Sequence, residues 1–138
     1  MRWWQRGRST AVATHTDAQM QSTCGKGQQA EDRALAYLQA QGLRLLARNY
    51  RTPGRGGGEI DLILQAADGT VVFVEVRSRS HTGFGGAGGS IGHAKRQRLI
   101  HAAQCWLQAQ GSAAACRFDV VLMDAGQLQW IASAFEAD

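Results

Sequence analysis

The sequence predicts an α/β protein with a mixed central sheet flanked by helices, and three observations carry that expectation. Two apolar runs, residues 59–64 and 71–77, are joined by a turn short enough for a hairpin. Segments of helical periodicity lie before and after them, at 26–41 and 90–110. A further strand-like run, 117–124, follows the second helix, and a strand, helix, strand connection within one sheet implies a right-handed parallel crossover. The expected order is α, β, β, β, α, β, β.

Residues 1–24 are rich in Ser, Thr and Gln and show neither a helical nor a strand period, so they read as a flexible basic arm ahead of a single domain over 25–138. Trp3 and Trp4 in that arm either stack on a nucleic acid base or lie loosely on the surface. In the first helix Ala30, Ala34, Leu35 and Leu38 form an apolar stripe, and Gly42 supplies the stop. Glu31 shares the stripe. It either points at acids on the sheet or is an early-turn acid favoured by the helix dipole. A strand follows over 43–50. Residues 51–58, with the only proline and four glycines, form a loop carrying Arg51 and Arg55.

The hairpin is the most informative stretch. Strand alternation puts Glu59, Asp61 and Ile63 on one face and Ile60, Leu62 and Leu64 on the other; likewise Phe73, Glu75 and Arg77 oppose Val72, Val74 and Val76. Ala67-Asp68-Gly69 suits a three-residue loop with Gly69 in the left-handed position, pairing Ala66 with Thr70. That register sets Asp61 opposite Glu75 and Glu59 opposite Arg77, and keeps the faces consistent. A two-residue turn would mix them, which a half-buried sheet resists. Two like charges with Cβ atoms about 5 Å apart are destabilising, so Arg77, solvent or a divalent cation must offset them. Mg²⁺ or Mn²⁺ suits a pair of hard oxygen ligands; a solvated polar face is the other reading.

Residues 78–92 form a glycine-rich loop in which 83–88 match GxGxxG, although the preceding antiparallel hairpin is not the parallel unit that a dinucleotide fold needs. Ser90 is the expected N-cap of the second helix, with Ile91, Leu99, Ala102, Ala103, Trp106 and Leu107 inward. Lys95, Arg96 and Arg98 crowd its first half, where cations oppose the macrodipole unless they meet an anion. Phosphate contact and a solvated face both remain open. His101 and Cys105, four residues apart without partner ligands, read as surface and core. A short edge strand over 127–132 follows a turn at Ala125-Gly126.

The composition agrees with one globular domain: 138 residues, 44% hydrophobic, with 15 Lys+Arg against 11 Asp+Glu for a net charge of +4. Between Arg44 and Arg98 nine cations face four acids, three of which lie on the proposed site face. Acids ringed by cations suit a phosphodiester, and the basic balance favours a polyanionic partner. Cys24, Cys105 and Cys116 lack metal or disulfide spacing, so reduced thiols are expected. No apolar run is long enough for a membrane span or a signal peptide, so the expected location is the cytoplasm.

Residues 58–63, 72–79, Lys95 and 117–121 closely resemble the YraN family of bacterial proteins predicted to be endonucleases, over about 26–136. That family in turn resembles the PD-(D/E)XK nucleases and the archaeal Holliday-junction resolvases. The resemblance implies a restriction-endonuclease-like core, α-β-β-β-α-β, and a Mg²⁺- or Mn²⁺-dependent endonuclease acting on DNA, with branched DNA and a homodimer in view. It makes Asp61 and Glu75 the metal-binding acids, Val76 a carbonyl ligand and Glu31 the helical acid. Arg77 occupies a lysine position. An arginine stays charged and cannot act as base, so Arg77 is expected to stabilise charge while the cation activates water. Arg55, Arg79, Lys95 and Arg98 are the expected phosphate contacts. The alternative function is a nucleic-acid-binding protein that keeps the nuclease fold without its chemistry.

Overall fold

The computed structural model describes residues 23–54, 57–78 and 91–137, the side chains of 23–26 excepted. Residues 1–22 of the basic arm, Arg55, Arg79, Ser90 and the GxGxxG match lie outside the described residues, as does the side chain of Cys24, whereas residues 23–24, expected in the arm, already belong to the first helix. The elements run α1 (Thr23–Ala40), β1 (Arg44–Arg51), β2 (Glu59–Gln65), β3 (Val71–Ser78), α2 (His93–Gln110), β4 (Cys116–Asp124) and β5 (Gln127–Phe135), the order expected from the sequence. The five strands form one sheet in the order β1-β2-β3-β4-β5. All neighbours are antiparallel except β3 and β4, which the α2 crossover makes parallel.

Each helix covers one face. Ala34 and Leu38 of α1 pack on Leu62, Leu64, Val72, Val74, Val121 and Met123, with Ala30 and Leu35 at the margin. On the other face, Leu99, Ile100, Ala102, Ala103 and Trp106 of α2 meet Ile63, Val71, Phe73, Phe118 and Val120. Both faces of the central strands are therefore buried, and each fully buried aliphatic side chain contributes about 1.5–3 kcal/mol relative to exposure. Ile100 widens the α2 stripe beyond the expected set, and Ile91 packs inward from just ahead of the helix.

Both helices end in the same way. Gly42 has φ 100°, its N–H donates to Gln39 O at 3.0 Å, and the Leu43 N–H donates to Leu38 O at 3.1 Å. Gly111, at φ 63°, closes α2 through the equivalent bonds of Gly111 to Gln108 O and Ser112 to Leu107 O. This paired pattern satisfies the last carbonyls and needs a left-handed residue, which glycine supplies without a Cβ clash. The N-cap of α2 is Gly92, with no side-chain cap.

The β2–β3 loop forms as expected. The Ala66 N–H donates to Thr70 O, the Gly69 N–H to Ala66 O, both at 2.9 Å, and Gly69 sits at φ 95°. The register over Leu62–Val74, Ile63–Phe73, Leu64–Val72 and Gln65–Val71 is the bulged-loop register. It does not continue to the expected Asp61–Glu75 and Glu59–Arg77 pairs: the ladder stops at Leu62–Val74. Beyond that point β2 stays with β1, through Tyr50–Ile60 and Arg51–Glu59. The alternation breaks there too, and Ile60 joins Ile63 and Phe73 on the α2 face rather than Leu62 and Leu64 on the α1 face.

The start of β2 lies hard against α2. A Cβ at Gly58 would stand 2.9 Å from the Arg98 carbonyl oxygen and 3.1 Å from its carbonyl carbon and Cβ. Gly58→Ala is therefore expected to destabilise the fold by about 1–3 kcal/mol, the usual cost of overpacking. Urea unfolding checks this, and unchanged stability would mean that the helix can shift away without cost.

Candidate metal centre

Where β2 leaves β3, a side chain takes over from the main chain. Asp61 Oδ2 accepts the Val76 N–H at 2.8 Å, and this bond brings Asp61 alongside Glu75. Both acids line a recess of about 100 Å³ with Gly58, Glu59, Lys95, Arg98 and Leu99. The sheet supplies the acids from its two central strands, and the first turns of α2 supply the cations. The close approach at Gly58 keeps that helix end over the recess.

The two carboxylates are compensated differently. Glu75 is nearly buried, its side chain 8% exposed, and its Oε2 lies 2.9 Å from Lys95 Nζ. For Asp61 the groups that raise its pKa outweigh those that lower it. Burial first, then Glu75, push its carboxyl up from the usual 3.8 to about 7, with Glu31 and Glu59 adding and the Val76 N–H opposing. Desolvation and like charge both disfavour the ionised form, while a hydrogen bond to the carboxylate favours it. Near neutral pH this recess accordingly favours a proton or another cation.

Glu31 lies well inside α1, which begins at Thr23, so the helix dipole does not account for it. Asn49 Nδ2 donates to its Oε1 at 3.0 Å, and Arg48 Nη2 stands 3.5 Å away while also meeting Asp32 at 2.8 Å. Asn49 adopts φ 49°, a left-handed conformation that Asn tolerates better than most residues. Glu59 pairs with Arg51 across the first strand pair, at 3.6 Å and exposed. Arg77 lies two residues after Glu75 on β3, in register with Leu122, and is not among the residues lining the recess. Lys95 offsets the charge of Glu75.

Among the described residues no group of three or more His, Cys, Asp or Glu is gathered around one point. The recess therefore does not fit a closed cage. It does fit Mg²⁺ or Mn²⁺, which typically use one or two carboxylates and complete their shell with water and substrate oxygen. The contact seen for Val76 is its N–H on Asp61, not its carbonyl. His101 Nε2 and Cys105 Sγ stand 3.6 Å apart on the exposed side of α2, two potential ligands with no third among the described residues.

Sequence reasoning missed two features. One is the Lys95 to Glu75 ion pair, since the lysine was expected on phosphate. The other is Asp119, an acid within the apolar run of β4 that is 1% exposed. It accepts hydrogen bonds from Arg117, from Trp130 Nε1 at 2.9 Å and from the Ser133 N–H at 2.9 Å. Its signal was available: Arg117 lies two residues away on the same strand face.

Fold and recess together define a class: an α/β protein whose central hairpin carries two acids and whose crossover helix lays a lysine on one of them. The model of "Uncharacterised protein family UPF0102" matches residues 30–123. A UPF0102 protein of Paracidovorax citrulli is 61% identical over 120 residues, covering 87% of this chain and 89% of the relative. One of Verminephrobacter eiseniae is 63% identical over 113 residues, covering 81% and 78%. A third, of Polaromonas naphthalenivorans, is 44% identical and covers 98% and 99%. The chain belongs to this family, UPF0102, also called YraN. No helix among the described residues is long and apolar enough to cross a membrane.

Proposed function

We propose that this protein is a divalent-metal-dependent endonuclease that hydrolyses phosphodiester bonds of DNA, with branched DNA as the substrate form suggested by the resolvase likeness. The observation that carries the reading is the convergence of Asp61 and Glu75 in one recess, with Lys95 and Arg98 at its wall. Asp61 and Glu75 would hold Mg²⁺ or Mn²⁺, with Val76 offering a carbonyl. Such an ion lowers the pKa of water and screens the charge of the scissile phosphate. Glu31 on α1 adds to the negative potential at Asp61, which would strengthen the attraction for the ion. Arg98 and Lys95 orient the phosphate, with Arg55 and Arg79 extending the contact. Arg77 stabilises the charge that develops as the bond breaks. The cytoplasm, where chromosomal DNA is found, is the compartment this reading implies, and a homodimer would suit a two-stranded substrate.

A second reading, a DNA-binding module without chemistry, is favoured by one specific feature: the residue following Glu75 and Val76 on β3 is Arg77, which cannot serve as a base. The experiment that separates the two is cleavage of a duplex and a four-way junction in Mn²⁺, with Asp61→Asn as control. The nuclease reading predicts cleavage that Asp61→Asn abolishes, that Arg77→Lys retains or raises, and that Arg77→Ala lowers by about 10²-fold or more. Binding that is steeply salt-dependent, without any cleavage lost in Asp61→Asn, would favour the binding module.

A further inference from the structure

We infer that Lys95 is the resident cation of the recess, bound to Glu75 in the metal-free protein and exchanged for the divalent ion when the site is loaded. This rests on the metal reading of the recess but concerns a residue that reading leaves among the phosphate contacts. Lys95 Nζ lies 2.9 Å from Glu75 Oε2, and the two side chains are 45% and 8% exposed. The carboxylate is fixed by its burial, whereas the ammonium sits on a half-exposed, flexible stem and can leave without repacking the core.

The helix does not hold the lysine there. His93 opens α2, and its first turn contains no acid. A cation two residues further on is repelled by the positive end of the dipole, so Glu75 is the group that draws it in. A divalent ion using Glu75 would meet a like charge within hydrogen-bond distance of its own ligand. Loading of the ion and the Lys95 contact are therefore competing occupancies of one carboxylate, linked as any two exclusive states are. The released ammonium would stand beside Arg98 at the recess wall, where it can meet a phosphate. The exchange thus supplies a substrate contact in the loaded state.

The test uses Mn²⁺ alone, with affinity followed by calorimetry or by the spin resonance of the free ion at fixed ionic strength. Lys95→Met should bind Mn²⁺ about tenfold more tightly than wild type, within the range usual for coupled sites. In a Glu75→Gln background the same Lys95→Met change should have little effect, because the competition runs through that carboxylate. Lys95→Gln serves as a second, polar variant, and thermal melts confirm that each variant folds. Unchanged or weaker Mn²⁺ binding in both lysine variants would overturn the exchange, as would equal tightening with Glu75→Gln. The outcomes also separate this inference from the nuclease reading. Mn²⁺ binding that Lys95→Met tightens, without DNA cleavage, leaves the exchange and removes the nuclease. Cleavage with unchanged Lys95→Met affinity does the reverse, and absence of Mn²⁺ binding throughout removes both.

Discussion

Asp119→Ala is expected to lower the stability of the protein by about 1–3 kcal/mol, the range for losing hydrogen bonds to a buried charged group whose cationic partner is itself partly exposed. Asp119 accepts Arg117 Nε at 3.0 and 3.3 Å on its two oxygens, Arg117 Nη2 at 3.2 Å, Trp130 Nε1 at 2.9 Å and the Ser133 N–H at 2.9 Å. Removing the carboxylate deprives all of these donors of their acceptor, and although partly exposed Arg117 can turn to solvent, the shielded part of the network is costly to strand. The damage also reaches the backbone. The β4–β5 register shifts between Phe118 and Val120, and Ser133 adopts φ 53°, a conformation that its N–H bond to Asp119 helps hold. Asn at this position keeps the shape but turns a donor toward donors, so it should recover only part of the loss. Urea denaturation checks the value, and a change under about 1 kcal/mol would show that the network contributes little net stability.

Asp61→Asn should stabilise the metal-free protein at high pH and flatten its pH dependence. The Asp61 carboxyl is raised from 3.8 to about 7 on folding, with burial the largest cause and Glu75 the next. Between those values the folded protein keeps a proton that the unfolded chain has lost, so stability is fully present below about pH 4. It falls as pH rises through about 7 and then levels off. Asn carries no charge and can still accept the Val76 N–H, so its profile lacks that decline. Above pH 7 the variant should be more stable by on the order of a few kcal/mol. Unfolding in EDTA at pH 5 and pH 8 measures the difference, and identical pH profiles for the two proteins would contradict the assignment.

The features legible in the sequence were those fixed locally. The three-residue Ala67-Asp68-Gly69 loop, the helix stop at Gly42 and the register of Leu62 with Val74 depend on a few neighbouring residues and on face consistency. Long-range packing decided the rest. Ile60 changes face because β2 leaves β3 while staying with β1, which no alternation rule anticipates. The last strand runs to Phe135 rather than 132, because the turn in its backbone at Ser133 lets Phe135 stack on Phe118, 4.8 Å between ring centroids. Arg96 settles with its guanidinium carbon 6.0 Å from the centroid of that same Phe135 ring, a contact between elements far apart in sequence. The two acids of the recess were legible from strand alternation, although they meet beyond the end of the ladder, through the Asp61 bond to the Val76 N–H, rather than as a strand pair; the cation on Glu75 was not legible. Lys95 is twenty residues beyond Glu75, and only the docking of α2 over Gly58 brings it there.

The central claim is that Asp61 and Glu75 together hold a divalent cation. The most direct measurement is the shift in melting temperature on adding Mn²⁺ at pH 8, where the Asp61 proton is gone, for wild type, Asp61→Asn and Glu75→Gln. Preferential binding to the folded state predicts a rise for wild type that grows with Mn²⁺ concentration, and no comparable rise for either variant. An equal rise in all three proteins would place the ion elsewhere and contradict the account.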